Sequence, residues 1–149
     1  MIEIKVDAGE VQPALQRLSG KIKNMAPVMQ ELAVAMEKQA LENFRAESGP
    51  LGQWPAVKKP HKDAIGILRV TQMLMDNTAS AFDSFTAMVT NNRRYAALQQ
   101  LGGKAGRGRR SVIPPRPFLP VKPDGTLQDG MEEKLLGIVN DYLAQAVDG

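Results

Sequence analysis

Six apolar residues constrain the folding of this chain more than any other feature. Met25, Met29, Leu32, Met36, Ala40 and Phe44 follow one another in steps of three and four, which brings their side chains onto one face of an α-helix. Ala26-Pro27 opens the run, and proline is tolerated in a first turn because its missing N–H would have no intrahelical partner there. Glu31, Glu37, Lys38, Glu42 and Arg45 fall mostly on other faces. The spacing predicts a long amphipathic helix, and such a helix needs a second layer to cover its stripe.

The flanking sequence supplies that layer. Ile2, Ile4 and Val6 alternate with Glu3, Lys5 and Asp7, the period of a strand with one buried face. Asp7-Ala8-Gly9 reads as a turn, and Val11, Leu15, Leu18 and Ile22 as a helix kept short by Gly20. Asn77–Ser84 and Phe85–Thr90 predict a hairpin turning at Asp83-Ser84. Within it Ala79 and Ala81 alternate with Thr78 and Ser80, and Phe85, Ala87 and Val89 with Thr86, Met88 and Thr90. A last helix carries Met131, Leu135, Ile138, Tyr142 and Ala146 on one face, widened by Leu136, Val139 and Leu143. The expected fold is α+β, a single domain over residues 1–149. Its small antiparallel sheet, made of the N-terminal strand and the hairpin, is packed by the long helix and the C-terminal helix.

Between the hairpin and the last helix lies a stretch of three unlike pieces, Tyr95 to Pro120. Tyr95–Leu101 reads as a short helix closed by Gly102-Gly103, since glycine reaches positive φ without a Cβ clash. Residues 103–112 read as a flexible basic loop carrying Lys104, Arg107, Arg109 and Arg110. Pro114, Pro115, Pro117 and Pro120 then stiffen the chain as a spacer that delivers Phe118 and Leu119 to the core. The earlier segment 47–63 reads as an irregular loop anchored by Trp54, with Lys58, Lys59, His61 and Lys62 making its second half basic.

Composition rules out several chemistries. With no cysteine and a single histidine, disulfides, thiolate-bound zinc, iron–sulfur clusters and histidine-rich metal sites are excluded. No paired carboxylates, Ser-His-Asp set or nucleophile with a base can be assembled, so no catalytic, cofactor-binding or metal residue is assigned and the chain does not read as an enzyme. No apolar run approaches membrane-spanning length, and the N-terminus has no signal pattern. These features predict a protein made in a cytoplasm, with no membrane partner. Every charged residue from Arg93 to Arg116 is basic, whereas from Asp124 onward acidic residues outnumber Lys134. That asymmetry suits an anionic partner or head-to-tail contact between copies.

Several of these segments together resemble the phage virion morphogenesis family, the tail completion proteins of contractile-tailed phages. Tyr95-Ala96, then Gln100-Leu101-Gly102-Gly103, and after a basic gap Pro114-Pro115-Arg116-Pro117-Phe118-Leu119 look like its paired signature. Phe44, Glu47 and Gly49–Pro55 with Trp54 resemble its acidic turn and tryptophan-proline step. Ile67-Leu68, Thr71 and Leu74 resemble a further block. Gln72 stands where the family usually has glycine, and Gln99 where it usually has histidine. The resemblance spans about Phe44 to Leu119. It implies a structural protein of the virion tail or neck, assembled in the host cytoplasm. It also implies a homo-oligomeric ring, a hexamer among the candidate sizes, that contacts tail tube and head–tail connector proteins and tolerates DNA in its channel. Lys104, Arg107, Arg109, Arg110, Arg93 and Arg94 are the candidate partner- or DNA-facing residues. A second class of function also fits, a small DNA-binding accessory protein acting through residues 104–110, attracted to phosphates without sequence specificity.

Overall fold

Helix α2 (Ala26–Ala46) is the axis of the molecule. The computed structural model describes residues 2–5, 11–57, 73–105, 108 and 111–148. The expected turn at Asp7-Ala8-Gly9, His61 with its neighbouring lysines, Ile67-Leu68, and Arg107, Arg109 and Arg110 lie outside them.

All six residues of the apolar stripe are buried, from Met25 to Phe44. At the helix start the Ala26 N–H donates to Asn24 Oδ1 at 3.1 Å, while Pro27 occupies the first turn. At its end Glu47 takes a left-handed conformation, φ 53° and ψ 41°. That geometry costs a residue with a Cβ about 1–2 kcal/mol. The reversal throws the chain into a two-stranded turn of β2 (Ser48–Gly49) and β3 (Gly52–Gln53), and the Trp54 N–H closes it on Glu47 O at 2.8 Å.

The expected sheet is present. Strand β1 (Ile2–Lys5) pairs antiparallel with β5 (Ala87–Asn91), which pairs antiparallel with β4 (Thr78–Phe82). Helix α2 lies across β4 and β5, burying Ala87, Val89 and Asn91 of β5. On β4 the inward positions are Thr78 and Ser80, not the alanines. Thr78 Oγ1 donates to Leu74 O of α3 (Met73–Asp76), and Ser80 Oγ donates to Glu37 Oε2 of α2. The turn also departs from expectation. It runs from Asp83 to Thr86, because Asp83 Oδ1 accepts the N–H groups of both Phe85 and Thr86 at 2.7 Å. An aspartate side chain that captures the backbone in this way competes with the ladder. It pulls Phe85 out of the strand and leaves it 90% exposed.

Helix α1 (Val11–Ser19) ends just before Gly20, burying Val11, Ala14, Leu15 and Leu18. The C-terminal helix α5 (Met131–Asp148) buries Met131, Leu135 and Val139. It joins the core by packing on α1 and α2, and Tyr142 Oη donates to Glu31 Oε1 at 3.0 Å.

Candidate interaction surface

The stretch from Tyr95 to Pro120 divides into an inward half and an outward half. Helix α4 (Ala96–Leu101) starts at Tyr95 and ends at Gly102, whose φ is +72°. A Cβ there would meet Pro115 N at 2.8 Å and Ile113 O at 2.9 Å, so glycine is required both for conformation and for the close crossing of the returning chain.

That returning chain, Pro114 to Pro120, solves a donor problem created by its own prolines. Each proline lacks an N–H. The remaining donors are all satisfied: Arg116 N–H by Gln99 O at 2.7 Å, and Phe118 and Leu119 N–H by Gln100 Oε1, each at 2.9 Å. Gln100 is itself 2% exposed, and its amide donates back to Leu119 O at 3.2 Å. One buried glutamine side chain thus replaces a strand neighbour for the extended segment.

The carbonyls on the other side are held by residues far away in sequence. Trp54 Nε1 donates to Pro117 O at 3.0 Å. Asn43 Nδ2 donates to Phe118 O at 3.0 Å and to Gln128 Oε1 at 2.8 Å. Phe118 and Leu119 are fully buried; the Phe118 ring lies 5.1 Å from that of Phe44, which meets Trp54 edge-on at 5.7 Å. Trp54, Phe118 and Leu119 are all buried where these segments cross. Asn43 and Gln128 were not foreseen. The only hint was an amide beside Phe44 at the edge of an apolar stripe.

Arg116 changes category. Counted by charge it belongs to the basic run, but it is 8% exposed. Its guanidinium donates through Nε to Pro55 O at 2.9 Å and through Nη2 to Ala56 O at 3.2 Å. Burial lowers its pKa below the ordinary arginine value, and the two carbonyls take the place of a carboxylate partner. It fastens the loop after Trp54 to the proline segment rather than offering charge to the outside.

The outward half is a hairpin. Strand β6 (Gly103–Ala105) pairs antiparallel with β7 (Ser111–Ile113), Gly103 opposite Ile113 and Lys104 opposite Val112. The loop expected over 103–112 therefore begins and ends in paired backbone. Neither strand joins another sheet among the described residues. Lys104 and Arg94 are exposed. Arg93 is half-buried, its guanidinium carbon 5.8 Å from the centroid of the Tyr95 ring. Two large apolar residues of this stretch are exposed as well, Leu101 at 59% and Val112, opposite Lys104, at 74%. Among the described residues no three His, Cys, Asp or Glu side chains gather as metal ligands, and no helix is long and apolar enough to cross a membrane.

The described residues form a small α+β domain folded around a buried arginine-proline-phenylalanine-leucine segment, with a two-stranded hairpin next to it in sequence. The model of the phage virion morphogenesis family matches residues 6–144, and the chain belongs to that family. It is 39% identical over 143 residues to the "Mu-like prophage FluMu G protein 2" of Haemophilus influenzae, covering 95% of this chain and 96% of that protein. No solved structure matches. The chain is thus a phage or prophage morphogenesis protein with a structural role in the virion.

Proposed function

We propose that this protein completes the phage tail and joins it to the head, as one subunit of a ring of identical chains around the DNA channel. Its neighbours in that position are tail tube and connector proteins. The observation that carries the reading is the match to a virion morphogenesis family over nearly the whole chain. The division of labour within Tyr95–Pro120 supports it. The residues that carry the family resemblance, Trp54, Gln100, Gly102, Arg116, Pro117, Phe118 and Leu119, serve the fold itself. What remains for partners is a basic and apolar outer surface, suited to assembly contacts and to DNA passing nearby without sequence recognition.

The test is removal of the gene from the phage or prophage that carries it, followed by electron microscopy of the particles. Unjoined heads and tails, or tails of unfinished length, rescued by the gene in trans, are the expected result. Normal, infectious particles without the protein overturn the reading. The competing class, a DNA-binding accessory protein, predicts micromolar or tighter duplex binding by the isolated chain near physiological salt. That binding would weaken steeply as salt rises.

A further inference from the structure

The turn between β4 and β5 displays a phenylalanine rather than burying it. Asp83 Oδ1 accepts the N–H groups of Phe85 and Thr86, and Phe85 is 90% exposed, with Phe82 at the same turn at 43%. Aromatic side chains left in water at a hairpin tip mark a contact surface. Phe85 also forms one wall of an open groove of about 240 Å³. The buried Leu15 of α1 and Met25 and Met29 at the start of α2 line that groove together with the exposed Gln16 and Ser19. Its volume is below the roughly 300–1,000 Å³ of small-molecule pockets and suits an inserted side chain, to which the two methionines can adapt.

The groove is bordered by cations that the chain does not neutralise. From Val11 to Gln30 the charged residues are Arg17, Lys21 and Lys23, with no acid among them. Arg17 turns away from the groove-side positions 16 and 19 of α1. Lys21 and Lys23 are exposed in the connection between Ser19 and Met25, each two residues and so at most about 7 Å, Cα to Cα, from one of those groove residues. Ile22 between them packs against the core. Neither lysine pairs with a carboxylate among the described residues. The side chain that fits this groove is therefore large and apolar, with a carboxylate close by. Among the large apolar residues described as exposed, only Phe82 and Phe85 have a carboxylate within two positions, that of Asp83. Val57, Tyr95 and Val112 have cations there instead. Asp83 in turn pairs with no cation among the described residues.

We propose that two copies of the chain meet about a two-fold axis at this patch, each setting Phe85 into the other's groove against Leu15, Met25 and Met29, with Asp83 of each facing Lys21 and Lys23 of the other. Groove and tip adjoin, since Phe85 is the wall of its own groove. Placing one Phe85 in the neighbouring groove therefore returns the neighbour's Phe85 to the first, the self-complementarity that a two-fold contact requires. The patch holds about a dozen residues a side against the roughly 20–30 of a standard interface, so the pair is weak and forms at roughly 100 μM chain rather than nanomolar. The contact is separate from the ring proposed above: head-to-tail contacts close a ring, whereas this one pairs two chains or two rings.

Analytical ultracentrifugation of the full chain over a concentration series reads the pairing, and the methyl signals of Met25 and Met29 in NMR read the groove. The expected result is a dimer that forms as concentration rises, with both methyl signals moving in step. Two variants change exposed side chains only, Phe85→Ser and the pair Lys21→Glu with Lys23→Glu, and thermal melts confirm that both fold as wild type does. Each is expected to weaken pairing about tenfold or more and to make the methyl signals independent of chain concentration. A wild type that stays monomeric to ~1 mM, or either variant pairing as wild type does, overturns the proposal. Methyl signals that ignore chain concentration but shift when phage tails or duplex DNA are added put a different partner in the groove and overturn it too. None of these outcomes bears on tail completion, which the gene-removal experiment decides.

Discussion

From Arg116 to Pro120 the chain is buried and every backbone N–H has an acceptor. A few residues earlier, Val112 and Lys104 stand in water on a ribbon tied to itself. Both halves belong to one stretch and both carry arginine, yet burial assigns them opposite work. Arg116 spends its donors on Pro55 and Ala56 carbonyls, whereas Lys104 on the hairpin remains exposed. Position relative to the Phe44–Trp54–Phe118 cluster separates a structural cation from a surface one; charge by itself does not.

The comparison breaks most severely at its inner half. Phe118→Ala removes a fully buried ring in contact with Phe44 and is expected to cost about 3–5 kcal/mol, measured by chemical denaturation. Next comes Gln100→Leu, similar in size but with no acceptor for the Phe118 and Leu119 N–H groups. Stranding two buried donors is expected to cost about 2–4 kcal/mol. A variant as stable as wild type would show that the proline segment does not depend on that side chain. Arg116→Lys keeps the charge but loses the fork that reaches two carbonyls. The expected loss is about 1–2 kcal/mol, together with faster hydrogen exchange around residues 54–57. Equal stability for lysine would mean that charge, not geometry, matters at 116.

At the outer half the expected effects on stability vanish. Serine at Arg107, Arg109 and Arg110 together is expected to change unfolding free energy by less than about 0.5 kcal/mol. The same variant measures the DNA alternative. Weak duplex binding by wild type at physiological salt supports the structural joint, and tight binding abolished by the three changes supports the accessory protein. A stability loss as large as that of Phe118→Ala would erase the distinction between the two halves.

What the sequence determined about this protein is whatever its local periods encode. The stripe from Met25 to Phe44 is buried residue for residue, since a helix brings residues three and four apart onto one face regardless of what covers them. The antiparallel pairing of β4 with β5 follows from period-two alternation and a short connection, whereas the position of β1 beside β5 does not. Even so, Asp83 moved Phe85 out of its strand through two hydrogen bonds, a competition between side chain and ladder that alternation does not register. The tertiary structure alone decided the rest. Asn43 finds Gln128 across 85 positions and Phe118 O across 75, and Trp54 finds Pro117 O across 63. No local pattern records such meetings, because a buried polar group is defined by the partner that satisfies it, and that partner arrives only when distant segments pack. Arg116 is the sharpest case: the chain spells a cation within a basic run, and only the enclosure beside Trp54 turns it into a clamp on two carbonyls.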